Sequence, residues 1–436
     1  MPVPAALARA AFPAPVLDVL RTLAGAGHRS WLVGGAVRDL LLHRPRTATD
    51  FDVATPARPE EVTRLFRKVI PTGIEHGTVT VLARGEPVEV TTFRGEGAYL
   101  DGRRPESVTF LQDLEADLAR RDFTMNALAY DPLGPEFRDP FGGRDDLRRR
   151  RVRAVGDPAA RFAEDGLRPM RAVRFVAQLG FELDAATRAA IPGALDVVRL
   201  VAAERITDEL SKLLVARHAP AALRLLRSTG LLGVVLPALA AVPERELAHA
   251  EAVAGAAPPE LAIRLAALLH PLGPEGAGAA LAALRLPRQV SDAATALIRF
   301  FPCRRAHGAG LPAPDPVALR RWASRVEPQR VDTLLAVAAA EARVSPPASR
   351  RRAGAEVTRL RKRVTDVLRE RPPLAIRDLA LDGREVAAVL GTAPGPRVGE
   401  ALRHLLDRVL HDPRENEPER LRAALRDWSA QQTGSI

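Results

Sequence analysis

Cysteine is nearly missing from the 436 residues: Cys303 stands alone. That excludes a disulfide framework and any zinc site built from several cysteines. Long apolar runs are missing too; none approaches the roughly 18 residues that a membrane-spanning helix needs. The partly apolar stretch 2–23 is interrupted by Asp18 and Arg21 at helical spacing, which predicts an ordinary amphipathic helix and not a signal peptide. There is no internal repeat. With neither leader, span nor disulfides, the expected location is the cytoplasm. What is abundant is core-forming and charged material: 47% hydrophobic and 27% charged residues. A chain of this length calls for several domains. The net charge of +11 favours a polyanionic partner. Ala, Gly and Pro are inflated alongside Arg, however, so composition alone does not decide for nucleic acid.

From about residue 30 to 130 the pattern is mixed. Short β-type runs (WLVGG, FDVAT, TVTVLA, VEVTTFR) alternate with helical stretches such as EEVTRLFRKV. The run TVTVLARGEPVEVTTF predicts a hairpin turning at Arg84-Gly85-Glu86-Pro87. Beyond about residue 131 the β signals stop, and Ala/Leu/Arg-rich amphipathic segments predict an all-helical remainder. The fold class is therefore α+β, with a strand-containing head followed by helical parts. Residues 303–317 and the segment near 344–354 read as loops and as domain boundaries.

The strongest chemical signal lies between Leu32 and Thr55. A hydrophobic strand runs into Gly34-Gly35, and a helix opens at about Ala36. Glycines there let backbone N–H groups approach a phosphate, and Arg38 on the first turn adds a charge-assisted contact. Then comes Asp50-Phe51-Asp52 on a β-type run. Alternate residues of a strand share a face, so the two carboxylates converge while Phe51 packs inward. Side by side they repel unless cations lie between them. A pair of divalent ions resolves that conflict, and it is the arrangement that activates a 3′-hydroxyl and neutralises a departing pyrophosphate. Glu89, on the strand VEVTTFR, offers a third carboxylate. A lone Asp-x-Asp is usually a solvated strand end and a lone Gly-Gly a tight turn. Their conjunction as strand, Gly-Gly, helix, strand, Asp-x-Asp is what points to nucleotidyl transfer.

GGAVRD followed by DFD resembles the polymerase-β-like nucleotidyltransferases, specifically the bacterial (class II) tRNA nucleotidyltransferase and poly(A) polymerase family. Further blocks match in order: RRDFTMNA at 120–127, DPFGG at 139–143, VRAVGDP at 152–158, EDGLRPMRAVRF at 164–175 and ERITDEL at 204–210. The tail from PPLAIRDLALDG to GTAPGPRVGEAL is similar as well. The resemblance covers nearly the whole chain and is weakest from about 240 to 370. It implies a nucleotidyltransferase head over 1–135, a helical neck over 136–215, a body over 216–350 and a tRNA-binding tail over 351–436. It implies that Asp50 and Asp52 carry two catalytic divalent ions, magnesium by expectation, and that Gly34, Gly35 and Arg38 meet the triphosphate. By the same match Arg121 and Asp122 contact ribose and nucleotide, an Asp near the sugar favouring ribonucleotides through the 2′-hydroxyl.

The block from Glu164 to Arg168 reads as helical, so Asp165 and Arg168 share a face. Asp165 only accepts hydrogen bonds and Arg168 only donates them. Cytosine and adenine both present an amino donor beside a ring-nitrogen acceptor, which this pair complements. Guanine and uracil place a carbonyl oxygen against the carboxylate, at a cost on the order of 1–3 kcal/mol per unpaired group. In the resembling family such a pair serves as the template. Arg171 and Arg174, on or near the same face, are candidate phosphate contacts.

The polar loop 96–110 resembles the flexible loop that family members need to switch from C to A addition, which speaks against a CC-only enzyme. The sequence leaves complete CCA addition from CTP and ATP, addition of the terminal A alone, and poly(A) synthesis open. Intact Asp50, Asp52, Asp165 and Arg168 argue against a non-catalytic RNA-binding scaffold. The basic run 148–153 and the cluster Arg359, Arg361, Lys362 and Arg363 are candidate tRNA-backbone surfaces. Residues 395–399 either offer backbone N–H groups to a phosphate or simply turn the chain. The segment 247–273 looks like a decayed HD-type phosphohydrolase: His270 is followed by Pro271 where an aspartate would stand. No such hydrolase activity is expected, and His270 is read as a packed helix residue.

Overall fold

In the computed structural model the chain divides into two units, Met1–Ala241 with Ala283–Arg285, and Val242–Ala282 with Leu286–Ile436. The structure describes residues 2–44, 51–96, 108–300, 312–313 and 315–433.

The first unit opens with α1 (Ala5–Ala8) and α2 (Ala14–Gly25). The single amphipathic helix expected over 2–23 is thus two helices. Pro13 is the reason: it is the N-cap of α2, and the residue before a proline is pushed out of the α region. Then follow β1 (Trp31–Val33), α3 (Gly35–Leu41), β2 (Asp52–Thr55), α4 (Pro59–Leu65), β3 (Val69–Gly73), β4 (Thr78–Ala83) and β5 (Glu86–Thr92). A small hairpin, β6 (Arg94–Glu96) and β7 (Val108–Phe110), precedes α5 (Leu114–Ala119), β8 (Ala129–Asp131) and β9 (Glu136–Arg138). Seven strands make one sheet in the order β3-β4-β5-β2-β1-β8-β9. Its pairings are antiparallel except that β2 and β5 run parallel.

Period-two alternation places this sheet between two cores. Val53, Val79, Val81, Val88 and Val90 face the apolar stripe Val16, Val19, Leu20 and Leu23 of α2. Trp31, Val33 and Ala54 face the other way, onto Leu114 and Leu118 of α5. The β4–β5 hairpin turns on Arg84 and Gly85, with φ of 51° and 85°. Two successive left-handed residues match the right-handed strand twist, so Glu86 and Pro87, expected in the turn, already belong to β5.

The remainder is mostly helical, with two exceptions to the expectation. Strand β9 completes the sheet, and β10 (Arg151–Val152) pairs in parallel with β11 (Glu182–Leu183). Segments of two or three residues are too short to display a period. The helices of this part are α6 (Gly143–Arg148), α7 (Pro158–Glu164), α8 (Arg168–Leu179), α9 (Ala185–Ala190), α10 (Leu195–Arg199) and α11 (Ala203–Leu214), with further helices to residue 240.

The second unit is helical throughout its described residues, and none of the described helices is long and apolar enough to cross a membrane. The loop expected near 344–354 is corrected: only Ser345 and Pro346 separate helix Pro328–Val344 from helix Pro347–Arg369. Pro346 and Pro347 read as breakers, but they occupy the N-cap and first helical positions, where a missing N–H costs nothing. Of the other expected boundary, 303–317, residues 303–311 and 314 lie outside the described residues. His270 is buried, its Nδ1 2.8 Å from the Ala267 carbonyl oxygen, and its ring lies edge-on to His249. The His249 Nε2 lies 2.8 Å from Oε1 of Glu341.

Candidate active site

The parallel register of β2 and β5 sets Asp52 opposite Glu89, one position before Val53 opposite Val90. The two valines enter the α2 core, so both carboxylates stand on the opposite face. Asp52 is half-buried and Glu89 exposed. Phe51 is 2% exposed, as an inward-packing residue must be. Asp50 lies outside the described residues. Among the described residues no three His, Cys, Asp or Glu side chains form a cluster able to hold a metal. The donors in register are carboxylates only, which suits a hard, oxygen-seeking divalent ion.

Beside Asp52 lies the glycine turn. Gly34 has φ 68° and ψ −131°, a conformation glycine alone adopts without strain. A Cβ placed there would stand 3.0 Å from Arg121 Nη1 and 3.8 Å from Asp52 Oδ2. The turn, a guanidinium and the strand carboxylate are therefore within one ligand's reach. Gly35 opens α3. Arg121 Nε is buried without a hydrogen-bond partner in the protein. Its Nη2 donates to Asp117 Oδ2 at 3.2 Å, and Arg120 holds the other oxygen. Burial pushes the Asp117 carboxyl upward, but the Arg121 and Arg120 guanidiniums outweigh it and keep it below the ordinary range.

Arg38, expected at the triphosphate, is buried. It is bidentate on Asp39, at 2.8 and 3.0 Å, and donates to Asn126 Oδ1 at 2.7 Å. A nearly desolvated cation must be paired, and the neighbouring aspartate does so. Burial draws the Arg38 pKa down to about 10 against the pull of Asp122, so it remains a cation at neutral pH. Asp122 accepts from the Phe123 N–H and from Asn126 through Oδ1, and from Arg171 Nε at 2.8 Å through Oδ2. Burial opposes its ionisation, but Arg171 and these donors override it and hold the pKa at about 2. Arg171 faces Asp122, and Arg174 donates to Glu209 and Gln178. Both arginines, expected as phosphate contacts, are thus engaged by carboxylates, the half-buried Asp122 and the buried Glu209. The Arg38, Arg171 and Arg174 guanidiniums also surround the Phe175 ring at 5.2, 5.7 and 4.0 Å.

This network has a pH signature. The Asp122 carboxyl falls from 3.8 to about 2 on folding, so its contribution is complete above pH 4 and disappears as pH drops toward 2. The native chain should lose on the order of 2 kcal/mol through this group in that window. Chemical denaturation of Asp122→Asn between pH 5 and 2 should lack that part of the slope; parallel curves would refute the pairing.

The expected helix through Glu164 to Arg168 is broken. Helix α7 ends at Glu164, Asp165 is extended (φ −139°, ψ 107°), and α8 starts at Arg168. Pro169 sits in the first turn of α8, where its missing N–H is harmless. At Gly166 a Cβ would stand 2.5 Å from the Val197 carbonyl oxygen. Asp165 and Arg168 accordingly do not share a helical face. Arg168 is buried and donates to the Arg161 and Arg120 carbonyl oxygens and, at 2.5 Å, to Glu164. Asp165 Oδ1 accepts from the Leu167 N–H at 2.9 Å, and Oδ2 from Arg205 at 3.4 Å.

The family model for the poly A polymerase head domain matches residues 30–153, and that for a probable RNA- and SrmB-binding site of polymerase A matches residues 180–242. The chain is 41% identical over 415 residues to the CCA-adding enzyme of Geobacillus stearothermophilus, across 94% of this chain and 95% of that one. It belongs to the CCA-adding enzyme family. The Geobacillus thermodenitrificans member is 40% identical over 419 residues, covering 95% of this chain and 97% of its own. The crystal structure of the Bacillus stearothermophilus CCA-adding enzyme in complex with CTP superposes with a TM-score of 0.77 at 35% identity, over 98% of this chain and 100% of that one.

Several residues of this family member's site escaped the sequence reading. Asp117 was legible in principle, since it precedes Arg120 and Arg121 at helical i,i+3 and i,i+4 spacing. Asn126 and Glu209 lay inside matched blocks, but only burial reveals their work. Of the basic surfaces, Arg359, Arg361, Lys362 and Arg363 are exposed on helix Pro347–Arg369, whose opposite face buries Val357, Leu360 and Val364. In the run 148–153, Arg153 is held by Asp146 and the Phe141 carbonyl oxygen, while Arg149 and Arg150 are exposed. Gly395 precedes a 16-residue helix with an extended backbone that any residue adopts. Most of the loop 96–110 lies outside the described residues.

Proposed function

We propose that this protein completes the 3′ end of tRNA, adding C, C and A from CTP and ATP without a nucleic-acid template. The observation that carries this reading is the likeness to CCA-adding enzymes over 94% of the chain; the grouping of Asp52, Glu89, Gly34 and Arg121 supports it. Asp52 with Asp50, and Glu89 from the neighbouring strand, would hold two divalent ions, magnesium by preference. When bound, these ions make the 3′-hydroxyl a better nucleophile and stabilise the pyrophosphate that leaves. The Gly34–Gly35 turn and Arg121 hold the triphosphate, with Arg38 close behind. The 3′-oxygen bonds to the α-phosphorus as the bond to pyrophosphate breaks. Asp122 orients the ribose, with Arg171 and Arg174 fixing the wall behind it.

Asp165 reads the amino group that cytosine and adenine share. Arg168 supplies the donor for the ring nitrogen, exchanging its Glu164 carboxylate for the base. In this reading residues 1–135 form the catalytic head and 136–215 the base-selecting neck. The tail 351–436 grips tRNA, with Arg359, Arg361, Lys362 and Arg363 on its phosphates. The cytoplasm, where tRNA is completed, is the place for this work.

Extension of a tRNA lacking CCA, with CTP and ATP supplied singly and together, tests the proposal. The expected products are addition of C alone with CTP, nothing with ATP, and CCA followed by arrest with both. Extension only of tRNA already ending in CC would make it an A-adding enzyme, and a lengthening ladder with ATP alone a poly(A) polymerase.

A further inference from the structure

The sheet face that carries the carboxylates does not end at them. Strand registers set Val33, Asp52, Glu89, Thr80 and Ile70 side by side in one row across five strands. Their neighbours Val53, Val90, Val79 and Val81 enter the α2 core, so the row stands on the opposite face. On the β1 side of Asp52 that face is covered, since Val33 packs with Leu114 and Leu118 of α5. On the other side Glu89 is exposed, and Ile70, on the edge strand β3, is 43% exposed. Thr80 between them is buried, with its hydroxyl 2.9 Å from that of the exposed Thr72. The Lys68 carbonyl oxygen accepts from the Leu82 N–H at 3.0 Å, which continues the β3–β4 ladder by one pair. Lys68, exposed, therefore shares the face of Ile70. From Asp52 to β3 is three strand spacings, about 14 Å.

In nucleotidyl transfer the attacking and leaving oxygens lie roughly in line through the phosphorus. The Gly34 turn, which follows β1, and Arg121 beside it stand on the β1 side of Asp52. With pyrophosphate leaving on that side, the 3′-hydroxyl comes in from the β5 side, over Glu89. We propose that Glu89, Thr80, Thr72, Ile70 and Lys68 form the track of the acceptor strand, an unpaired RNA 3′ end laid across β5, β4 and β3. This rests on the reading that Asp52 serves the metals and the Gly34 turn the triphosphate. Ile70 lies under a base, the Thr72 hydroxyl meets the sugar-phosphate backbone, and the Lys68 ammonium pairs with a phosphate. Such contacts suit a single strand held by position and charge, without a base code.

Lys68 and Ile70 are both exposed, so Lys68→Ala combined with Ile70→Ser should leave Tm unchanged. With the full chain and tRNA lacking CCA, KM for tRNA should rise roughly tenfold while KM for CTP stays native. Lys68→Ala alone should lower the log–log salt slope of tRNA binding by about one. A raised KM for CTP with a native KM for tRNA would put the row on the triphosphate side and overturn the proposal. The direct measurement is a photocrosslink from a tRNA whose last nucleotide before CCA is a thiouridine. Adducts on the peptide spanning residues 68–74 are expected. If that tRNA is extended with CTP yet its adducts fall only elsewhere in the chain, the track is wrong and the transferase reading stands. If neither this tRNA nor the unmodified one is extended, both fall.

Discussion

Gly34→Ala should cut CMP incorporation on the order of a hundredfold, the scale on which an error near 1 Å in placing reactants acts. The argument starts from the backbone. At φ 68° and ψ −131° an L-residue is strained, at a cost of about 1–3 kcal/mol. The new methyl would also stand 3.0 Å from Arg121 Nη1, and that guanidinium is tethered to Asp117. Either the turn twists or the guanidinium moves, and both displace the groups that face Asp52. The strain should lower Tm by roughly 5 °C, at a few degrees per kcal/mol. Single-turnover CTP incorporation alongside a melting curve checks both; a native rate with a lowered Tm would show the turn to be structural only.

Much of the site was legible because its elements are local. A strand ending in Gly-Gly, a short helix, and an acidic β-run are read from neighbours in sequence, and β1, α3 and β2 stand where those patterns put them. The registry of Asp52 with Glu89 was not legible. It depends on a parallel pairing of residues 37 positions apart in sequence, and nothing within either strand specifies a partner.

The neck was misread for a different reason. Residues 164–168 have helical composition, but Gly166 is pressed against the Val197 carbonyl, a contact made by chain 31 residues away. Pro169 was the visible warning. What surrounds Arg38 and Arg168 was hidden for a third reason. Both were read as donors to a ligand because Arg suits phosphates and bases, and both are also under 9% exposed. A guanidinium that deep must be satisfied within the protein, and Asp39, Asn126, Glu164 and backbone carbonyls do it. Burial, which a single sequence gives only for strongly periodic segments, decides such cases.

Asp52→Asn carries the largest expected effect. The substitution keeps shape and removes the charge by which β2 would hold divalent ions. The protein then loses the arrangement that both prepares the 3′-hydroxyl and accommodates pyrophosphate. Asp52 is half-buried at the start of β2 and outside both cores, so folding should be untouched. A loss of about a thousandfold or more corresponds to some 4 kcal/mol of transition-state stabilisation, within what electrostatic groups at a reacting centre supply. The decisive measurement is therefore single-turnover CMP transfer to a tRNA lacking CCA, native protein against Asp52→Asn, at saturating CTP and magnesium with Tm recorded for both. Transfer should all but vanish at an unchanged Tm. Transfer at a rate near the native one would mean that the chemistry happens elsewhere in the chain.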